Sequence, residues 1–188
     1  MPYDIENLKL FCLEGVADID ASHHSPILPA LESLALQQRI TSIYKTCDTI
    51  EGLEESLSAL LYGDNNFSDY SIIYLVFGGK ENSIILNHYY YSLEEIAEVF
   101  EGKLKGKILH FANTMNLELS EDAAQYFIDV TGARAVSGYS QSVPILSTVL
   151  DCVFFDLCQE HDDVVDIVEE LYQKQYALSK TLGFTLYY

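Results

Sequence analysis

The sequence predicts a three-layer α/β/α domain built around a mainly parallel central sheet. Three observations favour this fold class. Short apolar runs of strand length alternate with amphipathic segments, serine or threonine residues stand at the expected helix starts, and glycines stand where several helices should end. Because parallel strands need a crossover connection, usually a helix, this alternation also predicts that any ligand site lies beyond the carboxyl ends of the strands.

The first half of the chain contains two strand and helix units and then a long apolar run. Residues 8–13 suit a strand that is buried on both faces, and a Ser-Pro pair opens an amphipathic helix at residues 25–38. Residues 40–45 are rich in β-branched and aromatic side chains, and Thr49 follows them as a helix cap. Residues 70–77 predict a central strand, because the run is apolar and ends at two glycines.

The alternation continues after a short connection. Residues 83–86 predict a small strand or hairpin arm, since too few residues precede them for a helix. Ser92 and Glu95 have the spacing of a capping box for the next helix. Residues 107–112 predict another strand, and residues 133–137 predict the one after it. Ser120 and Gly132 bound the helix between these two strands.

The last third of the chain is read as helical until its end. Pro144 opens an apolar helix to about residue 157, and residues 162–182 carry a second apolar stripe at helical spacing. Residues 184–188 are apolar and follow a glycine, which indicates an edge strand. With no repeat and no linker, residues 1–188 are expected to form a single domain.

Charge limits the classes of partner. Twenty-nine acidic residues against ten basic residues give a formal charge of −19, whereas nucleic acid binding needs clustered Lys and Arg. The same charge repels anionic membranes, no apolar run reaches the ~18 residues of a membrane span, and residues 1–10 lack a secretion signal. We therefore expect a cytoplasmic protein with a protein or peptide partner, no nucleic acid and no membrane partner, and a homo-oligomer left open.

Cysteine and histidine spacing predicts no metal and no cofactor. The four cysteines lie far apart in apolar surroundings, which favours reduced and buried thiols: Cys12, Cys47, Cys152 and Cys158. The adjacent His23 and His24 point in different directions on any regular element, so we interpret them as loop residues. His161 lies in an acidic run without the ligand spacing of a calcium loop, which indicates a solvated helix start.

Familiar catalytic motifs are missing from the predicted strand ends. The glycines after Phe77 lack both phosphate-binding patterns, and the turn at residues 137–140 lacks the Gly-x-Ser-x-Gly of a nucleophile elbow. His110 follows apolar residues within a strand, which favours an interior histidine over a catalytic base. Residues 89–91, three consecutive tyrosines, suit either a recognition surface or packing over the rim of the sheet.

The middle of the chain nevertheless has a recognisable order of segments. It contains a strand that ends in Gly78-Gly79, a short arm, a helix, a strand that ends in small residues, and a final core strand: residues 74–79, 83–86, 93–100, 108–114 and 131–139. In order and spacing this region, about residues 69–157, resembles the caspase-like peptidase fold, including its bacterial CHAT branch (caspase domains associated with tetratricopeptide repeats). The resemblance implies a catalytic His after the first of these strands and a catalytic Cys after the second.

Both catalytic side chains differ from those that the resemblance implies. Gly78 stands where the family has its His, and Thr114 stands where it has its Cys. A thiolate needs a nearby base or a positive field to form, and an unactivated Thr hydroxyl is a far weaker nucleophile. The sequence therefore predicts a pseudoenzyme that serves as an interaction or regulatory module.

Two alternatives stay open from the sequence alone. One is a divergent cysteine peptidase that uses Cys47 with His88 or His110, and the other is a small-ligand sensor at the carboxyl ends of the strands. The candidate rim or cleft residues for any of these roles are Gly79, Asn113, Tyr139 and Cys47.

Overall fold

The structure is a computed structural model that describes residues 7–16, 25, 27–62, 69–112, 120–141 and 147–188. The strands are β1 (Lys9–Glu14), β2 (Thr41–Thr46), β3 (Tyr70–Val76), β4 (Gly78–Lys80), β5 (Ser83–Leu86), β6 (Tyr89–Ser92), β7 (Ile108–Ala112), β8 (Ala135–Tyr139) and β9 (Phe184–Tyr187). The helices are α1 (Ile27–Ser33), which continues as a π-helical turn (Leu34–Gln38), α2 (Ile50–Tyr62), α3 (Leu93–Val99), α4 (Glu121–Thr131), α5 (Thr148–Glu160) and α6 (Val164–Leu182). The described residues do not include five positions that the sequence singles out: His23, His24, Asn113, Thr114 and Pro144.

The central sheet has six strands in the order β2-β1-β3-β7-β8-β9. The first five are parallel, and β9 pairs antiparallel with β8 at one edge. Strand β3 lies inside the sheet between β1 and β7, as its unbroken apolar run predicts. The predicted edge strand at the end of the chain is confirmed as β9.

The two faces of the sheet are each covered by helices. Along β1, for example, Phe11 and Leu13 belong to the cluster that packs against α2, α3 and α4, whereas Leu10 and Cys12 belong to the cluster that packs against α1, α5 and α6. This alternation follows from the two-residue period of a strand. The structure thus confirms the predicted three-layer fold with a mainly parallel sheet.

The predicted helix caps are found in the structure. The Thr49 hydroxyl accepts a hydrogen bond from an amide in the first turn of α2, at 3.0 Å, and Ser120 does the same for α4, at 3.3 Å. Ser92 and Glu95 form the complete capping box of α3. Gly132 ends α4 in the left-handed conformation, with φ +77°, which few other residues adopt at low cost.

A second sheet is larger than the sequence predicts. Strands β4, β5 and β6 form an antiparallel sheet of three strands, which we call the arm, where a single short strand or hairpin was expected. The turn between β5 and β6 consists of Asn87 and His88, both with positive φ (46° and 67°). Two such residues build the tight turn that matches the twist of a hairpin, so the tyrosines at residues 89–91 continue as a strand.

The elements after Gly132 are displaced from the predictions. The strand expected at residues 133–137 runs instead from Ala135 to Tyr139, because two residues are needed to lead the chain from the end of α4 into the sheet. Helix α5 is described from Thr148 to Glu160, and the predicted start at Pro144 lies outside the described residues. Helix α6 covers the predicted range but has a non-helical residue at Gln175. Among the described residues, no helix is both long enough and apolar enough to cross a membrane.

We predict that β9 is an integral part of the core. The Phe184 side chain is 3% exposed, and its ring lies against those of His110, Tyr139 and Phe154. Phe184→Ala should therefore lower the free energy of unfolding by about 3–5 kcal/mol, measured by urea denaturation. Deleting residues 184–188 should lower it further. The control Tyr188→Ala changes a side chain that is 66% exposed and should cost less than about 0.5 kcal/mol. Equal effects of the two point substitutions would contradict this prediction.

Candidate functional site

The carboxyl end of β3 places Gly78 at the position where the sequence resemblance implies a catalytic histidine. Gly78 is exposed, and it begins β4 immediately after the buried Phe77. A Cβ atom added to Gly78 would meet only the Ile85 Cβ, at 3.9 Å, which is ordinary van der Waals contact. The position thus has room for a side chain, although glycine itself supplies neither an acid nor a base.

Just before Gly78, the ends of β1 and β3 are closed by one tight contact. The Gly15 amide donates to the Val76 carbonyl at 2.8 Å, and the Phe77 ring, 2% exposed, lies directly over Gly15. A Cβ atom on Gly15 would lie 2.3 Å from the Phe77 Cδ1. Only glycine allows this approach, so Gly15 is required for packing at the rim.

A buried carboxylate lies at the end of β1. Glu14 is 7% exposed, and its Oε2 accepts hydrogen bonds from the Ser25 hydroxyl at 2.6 Å and from the Tyr44 hydroxyl at 2.5 Å. Burial and the hydrogen bond to Glu14 raise the pKa of Tyr44 well above its usual value. These two donors fix Glu14 beside β2 and make it an internal anchor of the rim.

Two other candidate rim residues, Gly79 and Tyr139, are buried. Gly79 is buried in β4 opposite Ile84. Tyr139 ends β8, as expected for a rim residue, but its side chain is 3% exposed and its hydroxyl lies in the core. Asn113 and Thr114 belong to the residues that the structure does not describe.

Cys47 does not lie with either histidine that the peptidase alternative requires. It is 6% exposed and belongs to the cluster under α2, α3 and α4, whereas His110 projects from the opposite face of the sheet towards α5. His88 is exposed in the turn between β5 and β6. Burial, and secondly the charge of Asp48, raises the pKa of the Cys47 thiol to about 12, which disfavours a thiolate.

The remaining thiols are also held in their protonated form. All four cysteines are free in the structure, but only Cys12 and Cys47 are buried as predicted, whereas Cys152 and Cys158 are half-buried. Burial raises the pKa of Cys12 well above its usual value, that of Cys152 to about 11 and that of Cys158 to about 12. A reactive cysteine normally has a lowered pKa, because the thiolate is the nucleophile.

The most extensive polar cluster of the site is buried beneath the rim, around Asp151 in the first turn of α5. Its Oδ2 accepts hydrogen bonds from the Tyr74 hydroxyl at 2.6 Å and from the Ser147 hydroxyl at 3.0 Å. Its Oδ1 accepts from His110 Nε2 at 2.6 Å and from the Tyr139 hydroxyl at 2.5 Å. The four donors use all four lone-pair positions of the carboxylate.

His110 links Asp151 to a serine on the neighbouring strand. Because a carboxylate only accepts, Nε2 carries the proton in the bond to Asp151, and the other ring nitrogen, Nδ1, lies 2.8 Å from the Ser137 Oγ. The order Ser137-His110-Asp151 has the residue types of a hydrolytic triad. Both Ser137 and His110 are 0% exposed, however, so no substrate reaches the hydroxyl in this structure. The arrangement is a structural polar core, as the sequence predicts for a histidine inside a strand.

The sequence contained a signal for this cluster that spacing rules did not resolve. Tyr74 and His110 interrupt apolar strands at positions that face the same layer, and Asp151 interrupts an apolar helix. A buried carboxylate requires donors, and Tyr74 on β3, His110 on β7 and Tyr139 on β8 supply three of them. The hydrogen bonds to Asp151 could not be predicted from the sequence, because they depend on the order of the strands in the sheet.

A second titratable group lies where α5 meets α6. Glu160, His161 and Glu170 place one potential metal-ligating atom each within 4.8 Å of one another. Lys174 Nζ lies 2.7 Å from Glu170 and 3.7 Å from Glu160, so a lysine already supplies positive charge to this group. We interpret it as a solvated ion-pair network.

Comparison with known proteins places the chain in a family. The profile of DUF6642, described as a family of unknown function, matches residues 7–188. The chain belongs to this family. A search of curated proteins finds no match.

Solved structures support the fold. The crystal structure of the Drosophila initiator caspase Dronc matches this DUF6642 member with a TM-score of 0.53, over 88% of this chain and 71% of that chain, at 11% sequence identity. At this identity the similarity concerns the fold alone. The chain therefore has a caspase-like fold.

We predict opposite effects for alanine at the two glycines of the rim. Gly15→Ala places a methyl group against a buried aromatic ring and should lower the free energy of unfolding by about 1–3 kcal/mol. Gly78→Ala meets no close neighbour and should change it by less than about 0.5 kcal/mol. Urea denaturation of both variants checks this. A destabilising Gly78→Ala together with a neutral Gly15→Ala would contradict the packing described here for the rim.

We also predict a loss of stability at alkaline pH that depends on the tyrosines bound to Asp151. Burial, and secondly the negative charge of Asp151, raises the pKa of Tyr74 and Tyr139 well above their usual value of 10.0. A raised pKa in the folded state means that this stabilisation is complete below about pH 10 and is lost as the pH rises further.

The measurement is the free energy of unfolding at steps from about pH 9 to pH 11. The four thiols, whose pKa values are also raised, contribute to the wild-type slope in the same direction, so the comparison is between variants. Tyr139→Phe should lower stability at neutral pH and flatten the decline above pH 10 by up to about 1.4 kcal/mol per pH unit. Tyr188→Phe, at the exposed chain end, should keep the wild-type slope. An unchanged slope in Tyr139→Phe would contradict the argument.

Proposed function

We propose that this protein is a caspase-like domain of the CHAT type that has no peptidase activity and acts in the cytoplasm by binding a protein or peptide partner. The observation that carries the proposal is Gly78, which occupies the end of β3 where a peptidase of this fold needs its base. We further propose that residues 1–188 form one such domain, with self-association as a second mode of assembly.

Chemistry supports the loss of turnover. Cysteine proteolysis requires a thiolate within hydrogen-bond reach of an imidazole, about 2.6–3.2 Å in the reactive complex. Gly78 has no side chain, and Thr114 replaces the thiol in the sequence. Two missing groups that act together remove the nucleophile and its activation at once.

The environment of the thiols supports the same proposal. A relocated nucleophile would need a cysteine with a lowered pKa beside a base. Cys47, the candidate from the sequence, is buried with a pKa raised to about 12. No observation on the described residues favours the relocated peptidase.

A small-ligand sensor is the second candidate function. A cavity of about 440 Å³ lies at the amino ends of β3 and β7 and is lined by Arg134, Gln159 and His161 among others. Its volume falls within the range of ligand pockets. The cavity lies at the amino ends of these strands, whereas the sequence predicts a ligand site at their carboxyl ends. A thermal-shift screen of small metabolites tests this candidate function.

The decisive experiment is a cleavage assay with acidic and basic peptide libraries. The purified wild type should cleave neither library. The double variant Gly78→His, Thr114→Cys introduces the missing base and thiol, and Gly78 has room for the new side chain. Cleavage by the double variant but not by Gly78→His alone would support the positional correspondence.

The controls separate the alternatives. Thr114→Ala should behave like the wild type. Robust cleavage by the wild type that persists in Thr114→Ala would refute the pseudoenzyme proposal. Loss of that cleavage in Cys47→Ser would then identify the relocated nucleophile.

A further inference from the structure

The outer strand of the arm exposes two tyrosines. Tyr89 is 66% exposed and Tyr90 is 59% exposed, and because they are consecutive in β6 they lie on opposite faces of the arm. Natural edge strands are usually protected by charged residues, proline or bulges. Residues 89–91 carry none of these, so the strand presents an open and aromatic pairing edge.

The backbone of β6 has a free edge within the described part of the chain. β6 pairs with β5 alone, in the register Leu86 with Tyr89 and Ile85 with Tyr90. In an antiparallel ladder, successive residues of one strand direct their N–H and C=O groups alternately towards the paired strand and away from it. The Ser92 amide points outward, since it donates to Glu95 Oε2 at 2.7 Å, and Tyr90, two residues earlier, therefore directs its N–H and C=O to the same open edge.

The arm is held in place before any partner binds. The Leu93 amide donates to the Asn82 carbonyl at 2.8 Å, and the Asn82 Oδ1 accepts from the Ser120 amide at 3.1 Å at the start of α4. These bonds connect the base of the arm to α3 and α4. A strand that is already ordered loses little conformational entropy on binding.

Charge around the arm selects the partner. Between Gly78 and Glu101 the chain contains five glutamates and one lysine: Glu81, Glu94, Glu95, Glu98, Glu101 and Lys80. Two of these glutamates, Glu81 and Glu94, line a cavity of about 180 Å³ beside Ser92, at the end of β6 that lies away from the turn. This acidic cavity therefore lies at the Ser92 end of β6.

We propose that β6 is a docking strand for an extended basic peptide segment, which pairs with Tyr90 and directs a Lys or Arg side chain towards Glu81 and Glu94. Main-chain hydrogen bonds supply register, as in other cases of strand addition. The tyrosine rings supply contact area and attract cationic side chains. The acidic cavity distinguishes basic from acidic segments.

The inference rests on the proposed binding role and is tested separately from it. Three fluorescein-labelled, acetylated seven-residue peptides serve as probes: one alternates Lys and Thr, one alternates Glu and Thr, and one is the Lys peptide with N-methyl groups on alternate amides. Fluorescence polarisation with the full chain at about 0.15 M salt measures binding. The unmethylated Lys peptide should bind at least about tenfold more tightly than either of the others.

Variants locate the binding on the protein. Tyr89→Thr with Tyr90→Thr keeps good strand formers and should weaken binding of the Lys peptide by about tenfold or more. Tyr188→Thr changes a tyrosine with the same exposed fraction, 66%, and should leave binding unchanged. Glu81→Gln with Glu94→Gln lies outside β6, so it tests the site even if the tyrosine variant folds poorly, and it should also weaken binding.

The outcomes separate specific docking from simple attraction to an acidic protein. Equal binding of the methylated and unmethylated Lys peptides would overturn the proposal, since the two carry the same charge. Full affinity in the folded tyrosine variant, or no binding of the Lys peptide to the wild type, would overturn it as well. None of these results changes the cleavage assay, in which activity of the wild type contradicts the proposed function whether or not the peptide docks.

Discussion

The buried carboxylate of Asp151 connects the helix layer of α5 and α6 to three neighbouring strands of the sheet. Hydrogen bonds from Tyr74, His110 and Tyr139 attach it to β3, β7 and β8. Burying a charge without partners costs several kcal/mol, and this cost is offset only when every lone pair is used. Because the donors come from three different strands, the cluster forms only when the strands have their native order, and it specifies that order in return.

Aromatic packing encloses this polar centre and buries it. The rings of Phe154, Phe155 and Phe184 surround His110 with centroids between 4.9 and 6.3 Å away. The edge strand β9 supplies one of these rings, so the end of the chain belongs to the same cooperative unit as the centre of the sheet. The cluster is buried, and the low local dielectric of the core strengthens its hydrogen bonds.

The parts that maintain the fold are thus different from the position where a caspase-like peptidase needs its chemistry. Gly78 lies outside the packed core, and its immediate neighbours Phe77 and Gly15 close the ends of β1 and β3 without it. A side chain at this exposed position would meet only Ile85, in ordinary van der Waals contact. The packing of the scaffold therefore does not depend on which residue occupies position 78.

The sequence by itself determined the local features of this protein. Helix starts at Thr49, Ser92 and Ser120 depend on side chains that bond to amides within the same turn, so they could be predicted from a few neighbouring residues. The apolar run of β3 likewise determined its place inside the sheet. The three-strand arm was only partly foreseen, because the turn at Asn87 and His88 uses two residues with positive φ where glycine is the usual signal.

Only the tertiary structure decided which distant residues share a site. Tyr74, His110, Tyr139 and Asp151 are up to 77 residues apart in the chain, and their meeting depends on strand order and on the registers of β3 with β7 and of β7 with β8. The direction of Tyr139 into the core, the placement of Cys47 and His110 on opposite faces, and the open edge of β6 were decided in the same way. The physical reason is that capping and strand alternation act within a few residues, whereas burial and hydrogen-bond partnership are set by layers that pack across the whole sheet.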